Sequence, residues 1–250
     1  ILLSEGSSTS AREAITALGI AGHEIDICDP NPYCLGRFSR FVRKFHRCPG
    51  LRDHPLAYLS FVTDLLTRRH FDVLLPIHEQ GFLFAAARNE IGALVHIALP
   101  SFASYRRAHS KAGFHELLNE LGLPQPRTAF VESADALRKA VRFPCVVKSA
   151  LGTASRATWL VTSETDLAAA LTALQTSDGF DNAVLVQDFA SGDIEHAQAV
   201  FHHGDLLAMH GYRRIAEGVG GGAAIKVSVS RPAVETHLRT IGRQLAWHGA

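Results

Sequence analysis

The chain has 250 residues, and its 25 Lys and Arg residues nearly balance its 24 Asp and Glu residues, which leaves a formal net charge of +1. Such a balance creates no global field, so we expect neither nucleic acid nor a membrane surface as a partner. Hydrophobic residues make up 47% of the chain, yet no apolar run is long enough to cross a bilayer. The chain begins inside an apolar run, Ile1-Leu2-Leu3, so we expect that an initiating segment was removed, and a lost targeting segment stays open. We predict a cytoplasmic globular protein with one large or two modest domains.

The first hundred residues alternate between strand and helix patterns. Residues 24–28 alternate polar and apolar side chains with period two, as a strand does, whereas residues 11–18 favour a helix that Gly19 and Gly22 end. Strands are predicted at residues 1–3, 24–28, 71–76 and 95–99, helices at 11–18, 56–70 and 81–90, and a basic, aromatic loop at 37–47. Strands that alternate with helices predict a parallel, doubly wound α/β sheet.

The pattern changes after residue 110. A helix over 110–121 ends sharply at Gly122-Leu123-Pro124-Gln125-Pro126, and shorter strands then dominate. Strands are predicted at residues 127–132, 143–148, 158–161, 183–189, 194–201 and 206–212, and helices at 133–141, 166–174 and 233–247. We expect the last three of these strands to share one antiparallel sheet, so the second half of the chain is predicted to be α+β.

Two segments of the second half carry residues suited to a nucleotide. Lys148 ends an apolar strand and precedes a loop of small and hydroxyl residues, where an ammonium and backbone N–H groups can surround phosphate oxygens. Further on, a strand leaves its sheet through Gln187, Asp188 and Phe189, whose backbone can face a purine edge, and Glu195 can accept hydrogen bonds from ribose hydroxyls. Taken alone, each segment is explained as well by a turn with solvated side chains.

The order of these segments resembles the ATP-grasp superfamily. Lys111 stands before a helix that ends in Gly-Leu-Pro-Gln-Pro, and the Pro-Cys-Val-Val-Lys strand, its loop, Val-Gln-Asp-Phe and Gly192 follow in that superfamily's order. The resemblance covers essentially the whole chain. It implies a pre-ATP-grasp α/β domain at residues 1–106 and an ATP-grasp domain at 107–250, with a lid subdomain at 125–186 and an incomplete larger subdomain at 187–250.

The resemblance also implies which residues bind ATP. The two lysines hold the α- and β-phosphates, residues 149–157 form a lid over them, and residues 187–189 form the adenine hinge. The implied set is Lys111, Lys148, Gly152, Ser155, Gln187, Asp188, Phe189 and Glu195. The lid departs from the superfamily's glycine-rich pattern, because Ser149 replaces a proline and Ala154 and Ala157 replace glycines. Alanine resists the positive φ angles that glycine adopts, so the lid is expected to be stiffer.

Arg213 and Arg214 lie in a segment, Tyr-Arg-Arg-Ile-Ala-Glu-Gly, that resembles the Arg-x-x-Glu segment of a carboxylate–amine ligase branch of the superfamily. By resemblance, either arginine stabilises the transferring phosphoryl group or a substrate carboxylate, because a planar guanidinium fits both in a bidentate manner. The alternative is a solvated arginine pair at a strand end.

No metal ligand is assigned in this chain. Phosphoryl transfer from ATP needs Mg²⁺, normally held by carboxylate or amide oxygens, and by resemblance these come from a late Glu and a Glu-x-Asn strand. After Gly218 the only Glu is Glu235, so we expect the Mg²⁺ ligands beyond Ala250. The four cysteines lack the paired spacing of structural zinc sites and are expected to be thiols.

The predicted function is an ATP-dependent ligase that activates a carboxylate as an acyl phosphate for attack by an amine, giving an amide, ADP and phosphate. The expected partners are a small-molecule carboxylate and a small-molecule amine, and a homodimer is a candidate assembly. One alternative is an enzyme like carbamoyl-phosphate synthase or biotin carboxylase, which would activate bicarbonate. Another, motivated by the altered lid, is an ATP-binding regulatory protein without catalysis. A nicotinamide oxidoreductase ranks lower, because the first loop lacks a GxGxxG pattern.

Overall fold

The structure, a computed structural model, describes residues 1–150, 157–177, 179–181, 183–218 and 223–250. They form two compact units. The first unit consists of residues 1–105 with Gly249, and the second unit consists of residues 106–248 with Ala250. Among the described residues, none of the helices combines the length and apolar character that a membrane span requires.

The first unit contains a parallel four-stranded sheet. The strands are β1 (Leu2–Leu3), β2 (Ile25–Asp29), β3 (Val42–Arg47) and β4 (Leu74–Leu75), in the order β3-β2-β1-β4. The helices are α1 (Thr9–Ile20), α2 (Pro55–Arg68), α3 (Gln80–Ala86), α4 (Arg88–Gly92) and α5 (Phe102–His109), of which α5 ends inside the second unit. The strand order reverses between β1 and β4, which makes their carboxyl ends a topological switch point.

The doubly wound arrangement follows from strands that are buried on both faces. Every residue of β1 and β2 is buried. Leu2 packs in one core cluster with residues of α2 and α3, while Leu3 packs in another with Ile15 of α1. Helices therefore cover both faces of the sheet, as the sequence predicts.

Several predicted boundaries in this unit were wrong. The predicted loop at 37–47 contains β3, an edge strand whose Arg43, Lys44 and Arg47 are exposed, as charged residues of edge strands often are. The strand predicted at 95–99 is reduced to one bridge between Val73 and His96. The helix predicted at 81–90 is divided at Ala87 into α3 and α4, and α5 was not predicted.

The second unit begins with α6 (Lys111–Glu120) and an antiparallel sheet, which we call the lid sheet. Its strands are β5 (Thr128–Val131), β6 (Cys145–Ser149), β7 (Thr158–Val161) and β8 (Val184–Asp188), in the order β5-β8-β6-β7. Helices α7 (Ala134–Ala140) and α8 (Glu164–Thr176) cover one face, where Val147, Val186 and Leu171 form the core. Ser133 and Ser163 cap the two helices through their side chains, as their sequence positions predict.

A second antiparallel sheet, the hairpin sheet, follows. It contains β9 (Glu195–His202), β10 (Asp205–Glu217) and β11 (Ala223–Ser228) in the order β11-β10-β9, and α9 (Pro232–Leu245) packs against it. The expectation that residues 183–189 share a sheet with the two following strands was wrong, because β8 pairs with β5 and β6 instead. Strand β11 was not predicted.

Candidate functional site

Three polar side chains lie on the face of the lid sheet that α7 and α8 do not cover. Successive residues of a strand point to opposite faces, so the buried Val147 and Val186 direct Lys148 and Gln187 to the other side. Gln187 pairs in register with Thr128 of β5 and with Val146 of β6. Lys148 is two residues beyond Val146 and therefore lies diagonally next to Gln187 on the same face.

These side chains form one hydrogen-bonded chain. The Lys148 ammonium Nζ donates to Gln187 Oε1 at 2.6 Å, and Gln187 Nε2 donates to Thr128 Oγ1 at 2.9 Å. The Thr128 hydroxyl donates to the Pro126 carbonyl oxygen at 2.9 Å. The amide of Gln187 is therefore held in one orientation, and it directs the ammonium of Lys148.

Lys111 lies close to this group, at the first residue of α6. Its backbone N–H donates to the carbonyl oxygen of Ala150, immediately after β6, at 3.0 Å. Partial burial lowers the pKa of Lys111, and repulsion from the charge of Lys148 lowers that pKa further. Burial also lowers the pKa of Lys148. The structure thus brings Lys111, Lys148 and Gln187 together.

This arrangement attracts anions. Two half-buried ammonium groups repel each other, and the start of α6 adds the partial positive charge of a helix N-terminus. A ligand with several negative oxygens would neutralise both lysines and remove their mutual repulsion. A polyphosphate has that property, because its charges are spaced along a chain.

Asp188 and Phe189 take different positions from Gln187. The carboxylate of Asp188 lies on the opposite face of the lid sheet, beside Cys145, where it raises the pKa of the Cys145 thiol together with the larger effect of burial. Asp188 also lines a cavity of about 240 Å³ with Arg127 and Arg142. Phe189 follows the end of β8 and is exposed. The Asp188 side chain therefore faces away from Gln187 and Lys148.

Glu195 and Arg213 belong to a second group at the end of the hairpin sheet that lies away from its turn. The two residues are paired in register across β9 and β10. The Glu195 carboxylate accepts from Arg231 Nε at 2.8 Å and from a second guanidinium nitrogen of Arg231. Arg213 donates to Asp193 Oδ2 at 3.0 Å. The predicted ribose acceptor Glu195 is therefore engaged with Arg231 in this structure.

Arg213 and Arg214 point to opposite faces of the hairpin sheet. The guanidinium of Arg214 pairs with Glu217 three residues further on, at 3.2 Å. The Nε–H of Arg213 is buried and has no hydrogen-bond partner among the described residues. A buried donor without a partner is costly, so of the two arginines Arg213 has more to gain from an added acceptor.

No family model matches the chain. It is 26% identical over 206 residues to a formate-dependent phosphoribosylglycinamide formyltransferase from Burkholderia thailandensis, which covers 77% of the chain and 49% of that relative. The chain spans about half the length of the curated relatives it matches.

Solved structures match nearly the whole chain. An L-amino acid ligase from Bacillus licheniformis has a TM-score of 0.78 at 14% identity, covering 100% of the chain and 62% of the ligase. A carboxyaminoimidazole ribonucleotide synthase from Aspergillus clavatus, complexed with ATP, has a TM-score of 0.70 at 17% identity, covering 99% of the chain and 63% of that protein. A RimK domain ATP-grasp protein from Sphaerobacter thermophilus has a TM-score of 0.61 at 17% identity, covering 100% of the chain and 83% of that protein.

The chain has the ATP-grasp fold. The fold class predicted from the sequence is thereby confirmed, and so is the resemblance to ATP-grasp proteins at the level of fold. The division at residue 106 into a pre-ATP-grasp and an ATP-grasp domain stays a prediction, as do the roles of the individual site residues.

The predicted lid residues Gly152 and Ser155 lie outside the described residues. Within the described ranges, the one group of three or more His, Cys, Asp or Glu side chains close enough to share an ion consists of histidines. Carboxylates that would suit Mg²⁺ are not gathered beside the lysines in that part of the chain, so its residues do not form an Mg²⁺ site there. The expectation that the ligands lie beyond Ala250 stays a prediction.

Sequence reasoning missed two residues that organise these groups. Thr128 orients Gln187, and Arg231 engages Glu195. Thr128 could have been found only from the pairing of β5 with β8, which joins residues 59 positions apart. Arg231 precedes Pro232 at the start of a predicted helix, but a helix start does not indicate which carboxylate an arginine will meet.

We predict that Lys148→Gln raises the pKa of Lys111, because the substitution removes the like charge that now lowers it. Burial of Lys111 remains in the variant, so that pKa should stay below its ordinary value of 10.5. NMR titration of the lysine Nζ groups measures the shift. The control Lys139→Gln removes an exposed lysine of α7 and should leave Lys111 unchanged. An equal shift in both variants would contradict the proximity of Lys111 and Lys148.

The lowered pKa of Lys111 and that of Lys148 predict whether the free energy of unfolding rises or falls with pH. The unfolded chain holds its lysine protons up to the ordinary pKa, whereas the folded chain loses those of Lys111 and Lys148 at lower pH. In the window between the folded and unfolded pKa values the unfolded state therefore binds more protons, and the free energy of unfolding rises with pH from these two groups. The rise should be smaller in Lys148→Gln.

Proposed function

We propose that this chain is the nucleotide-binding part of an ATP-grasp ligase that activates a substrate carboxylate as an acyl phosphate. The γ-phosphoryl group of ATP passes to a carboxylate oxygen and ADP leaves. An amine nitrogen then attacks the acyl carbon, phosphate leaves with its oxygen, and the nitrogen loses a proton to give an amide.

The observation that carries this proposal is the convergence of Lys111, Lys148 and Gln187 on the uncovered face of the lid sheet. In this scheme the two ammonium groups hold the phosphates of ATP, and Gln187 fixes the direction of Lys148. The backbone of Gln187, Asp188 and Phe189 borders the adenine at the end of β8. These groups contribute positioning and charge stabilisation, which is what phosphoryl transfer requires of a protein.

Arg213 is the proposed group at the transferring phosphoryl or the substrate carboxylate. Its Nε–H faces no protein acceptor among the described residues, and its guanidinium is positioned by Asp193. Arg214 bonds to Glu217 and is assigned no such role.

The names of the relatives support a carboxylate as the activated substrate. One is a formate-dependent formyltransferase and another is an L-amino acid ligase, and formate and amino acids both carry a carboxylate. The proposed partners of this chain are accordingly a small carboxylic acid and an amine.

The lysine assignment is tested by ATP affinity. We predict that Lys148→Met weakens ATP binding by about 10- to 100-fold, because a hydrogen bond to a charged group contributes roughly 1.5–3 kcal/mol. Isothermal titration calorimetry with the full-length protein measures the affinity. The control Lys139→Met should bind ATP as the wild type does. If Lys148→Met keeps wild-type affinity while circular dichroism shows it folded, Lys148 does not hold phosphate.

The arginine assignment is tested by a matched pair of substitutions. Arg213→Lys keeps the charge but loses the bidentate guanidinium, so we predict a fall in kcat of at least about tenfold with ATP affinity nearly unchanged. Arg214→Lys, one residue away on the other face, should retain most of the wild-type kcat. Equal losses in the two variants would argue that both act only through the stability of β10.

The reaction class is tested by ADP formation in the full-length protein. We predict that ADP release requires both a carboxylic acid and an amine, and that hydroxylamine added with the acid traps a hydroxamate from the acyl phosphate. Release that depends on bicarbonate instead would favour a carboxylating enzyme. Tight ATP binding without release under any combination would favour a regulatory protein. Either result would overturn the ligase proposal while leaving the lysine site intact.

A further inference from the structure

Three histidine side chains meet at the turn of the hairpin sheet. His202 ends β9, His203 is in the turn, and His248 follows α9. Their ligand nitrogens, one from each ring, all lie within 4.8 Å of one another. The rings of His203 and His248 stack at a centroid distance of 4.2 Å, and the ring of His202 stands edge-on to both, at 4.7 and 5.3 Å.

The backbone holds these side chains in place from both directions. His203 and Gly204 form a two-residue turn with φ angles of 48° and 99°, which is the geometry of a type I′ hairpin. The Gly204 N–H donates to the Trp247 carbonyl oxygen at 2.7 Å, and this bond ties the turn to the segment that carries His248. A side chain at Gly204 would meet the backbone of α9 at 3.2 Å, so glycine permits the close approach.

The described part of the chain contains two non-glycine residues with positive φ, and both border this cluster. They are His203 and Ala246, with φ angles of 48° and 43°. A β-carbon in the left-handed region costs energy, and such residues are more frequent at functional sites. Asparagine would suit the position of His203 better than histidine in a type I′ turn. Histidine holds this position instead, and its ring lies against the rings of His202 and His248.

The chemistry of three imidazoles favours a borderline transition metal ion. Neutral imidazole nitrogens bind Zn²⁺ well, whereas Mg²⁺ and Ca²⁺ prefer oxygen. Tetrahedral Zn²⁺ with Zn–N bonds of 2.0–2.1 Å places its ligand nitrogens about 3.3 Å apart. Rotating the side chains of His203 and His248 out of their stacked position can bring nitrogens within 4.8 Å to that separation. Three ligands leave a fourth position for water.

We propose that His202, His203 and His248 bind one Zn²⁺ ion, which joins the turn of the hairpin sheet to the chain after α9. The site is separate from the proposed nucleotide site. Along β9, His202 is seven residues from Glu195, which at 3.4 Å per residue is about 24 Å. The ion therefore stabilises the second unit and takes no part in the proposed ligase reaction.

The test uses the full-length protein, freed of metal with a chelator and kept without nucleotide, which would itself bind metal. Titration with Zn²⁺ should show one ion per chain, and Co²⁺ as a spectroscopic substitute should give the intense visible absorption of tetrahedral coordination. Zn²⁺ should also raise the melting temperature, because an ion that binds only the folded state stabilises it.

His203→Asn is the decisive variant, because it creates an Asn-Gly pair that suits a type I′ turn. The metal-free variant should melt at or above the wild-type temperature, yet bind Zn²⁺ at least about 100-fold more weakly and lose the Co²⁺ absorption. His248→Gln should lose the same signals without altering the turn. The control His210→Gln changes an exposed histidine of β10 and should bind Zn²⁺ as the wild type does.

Three results would overturn the proposal. The first is wild-type protein that binds no Zn²⁺ beyond the level of the triple variant His202→Gln/His203→Asn/His248→Gln. The second is wild-type affinity in His203→Asn or His248→Gln. The third is one ion per two chains, which would indicate that metal bridges separate molecules. Because none of these measurements involves ATP, failure here leaves the ligase proposal untouched.

Discussion

The main physical constraint at the candidate nucleotide site is the repulsion between the partly buried ammonium groups of Lys111 and Lys148. Lys111 and Lys148 both lose hydration, and the charge of Lys148 acts on Lys111. The fold can hold them together because the apolar core lies on the other face of the lid sheet and does not depend on them. Gln187 accepts from one ammonium but cannot cancel either charge. A polyanion placed against both ammonium groups would weaken their repulsion, which is the physical basis of the proposed affinity for phosphates.

Adjacent residues of a strand point to opposite faces of the sheet, so only one of two neighbouring polar side chains can line a given site. Gln187 and Asp188 are adjacent in sequence, yet Gln187 faces Lys148 and Asp188 faces the cavity on the core side. Arg213 and Arg214 are separated in the same way, one toward Asp193 and the other toward Glu217. Sequence alone presented each pair as one unit, and only the strand register divides their roles.

Strands and helices that depend on local sequence could be predicted, whereas contacts between residues distant in sequence could not. Period-two alternation located β2, local strand and helix patterns located β7, α7 and α8, and the order of Lys111, Lys148 and Gln187 indicated the fold. The partners of β8 could not be predicted, because apolar strands of similar length compete for pairing and sequence separation carries no signal. Strand β3 was missed because its charged residues resemble a loop, although charge is common on an exposed edge.

The histidine cluster was missed because its members are distant in sequence. His248 is 45 residues from His203, and only the docking of α9 on the hairpin brings them together.

The two ends of the hairpin sheet are connected by α9 as well as by the strands. The helix begins beside Arg231, which engages Glu195, and ends beside the segment of His248. Its 14 residues span about 21 Å at 1.5 Å per residue, similar to the length of β9. A metal ion at the turn would therefore anchor one end of a rigid helix whose other end holds a carboxylate near Arg213. The exposed ion pair between Arg231 and Glu195 contributes little to stability by itself. A metal ion at the turn would therefore have only a weak effect, through α9, on the position of Glu195. Such an ion would act mainly by restraining the hairpin, at the end of β9 that lies away from Glu195.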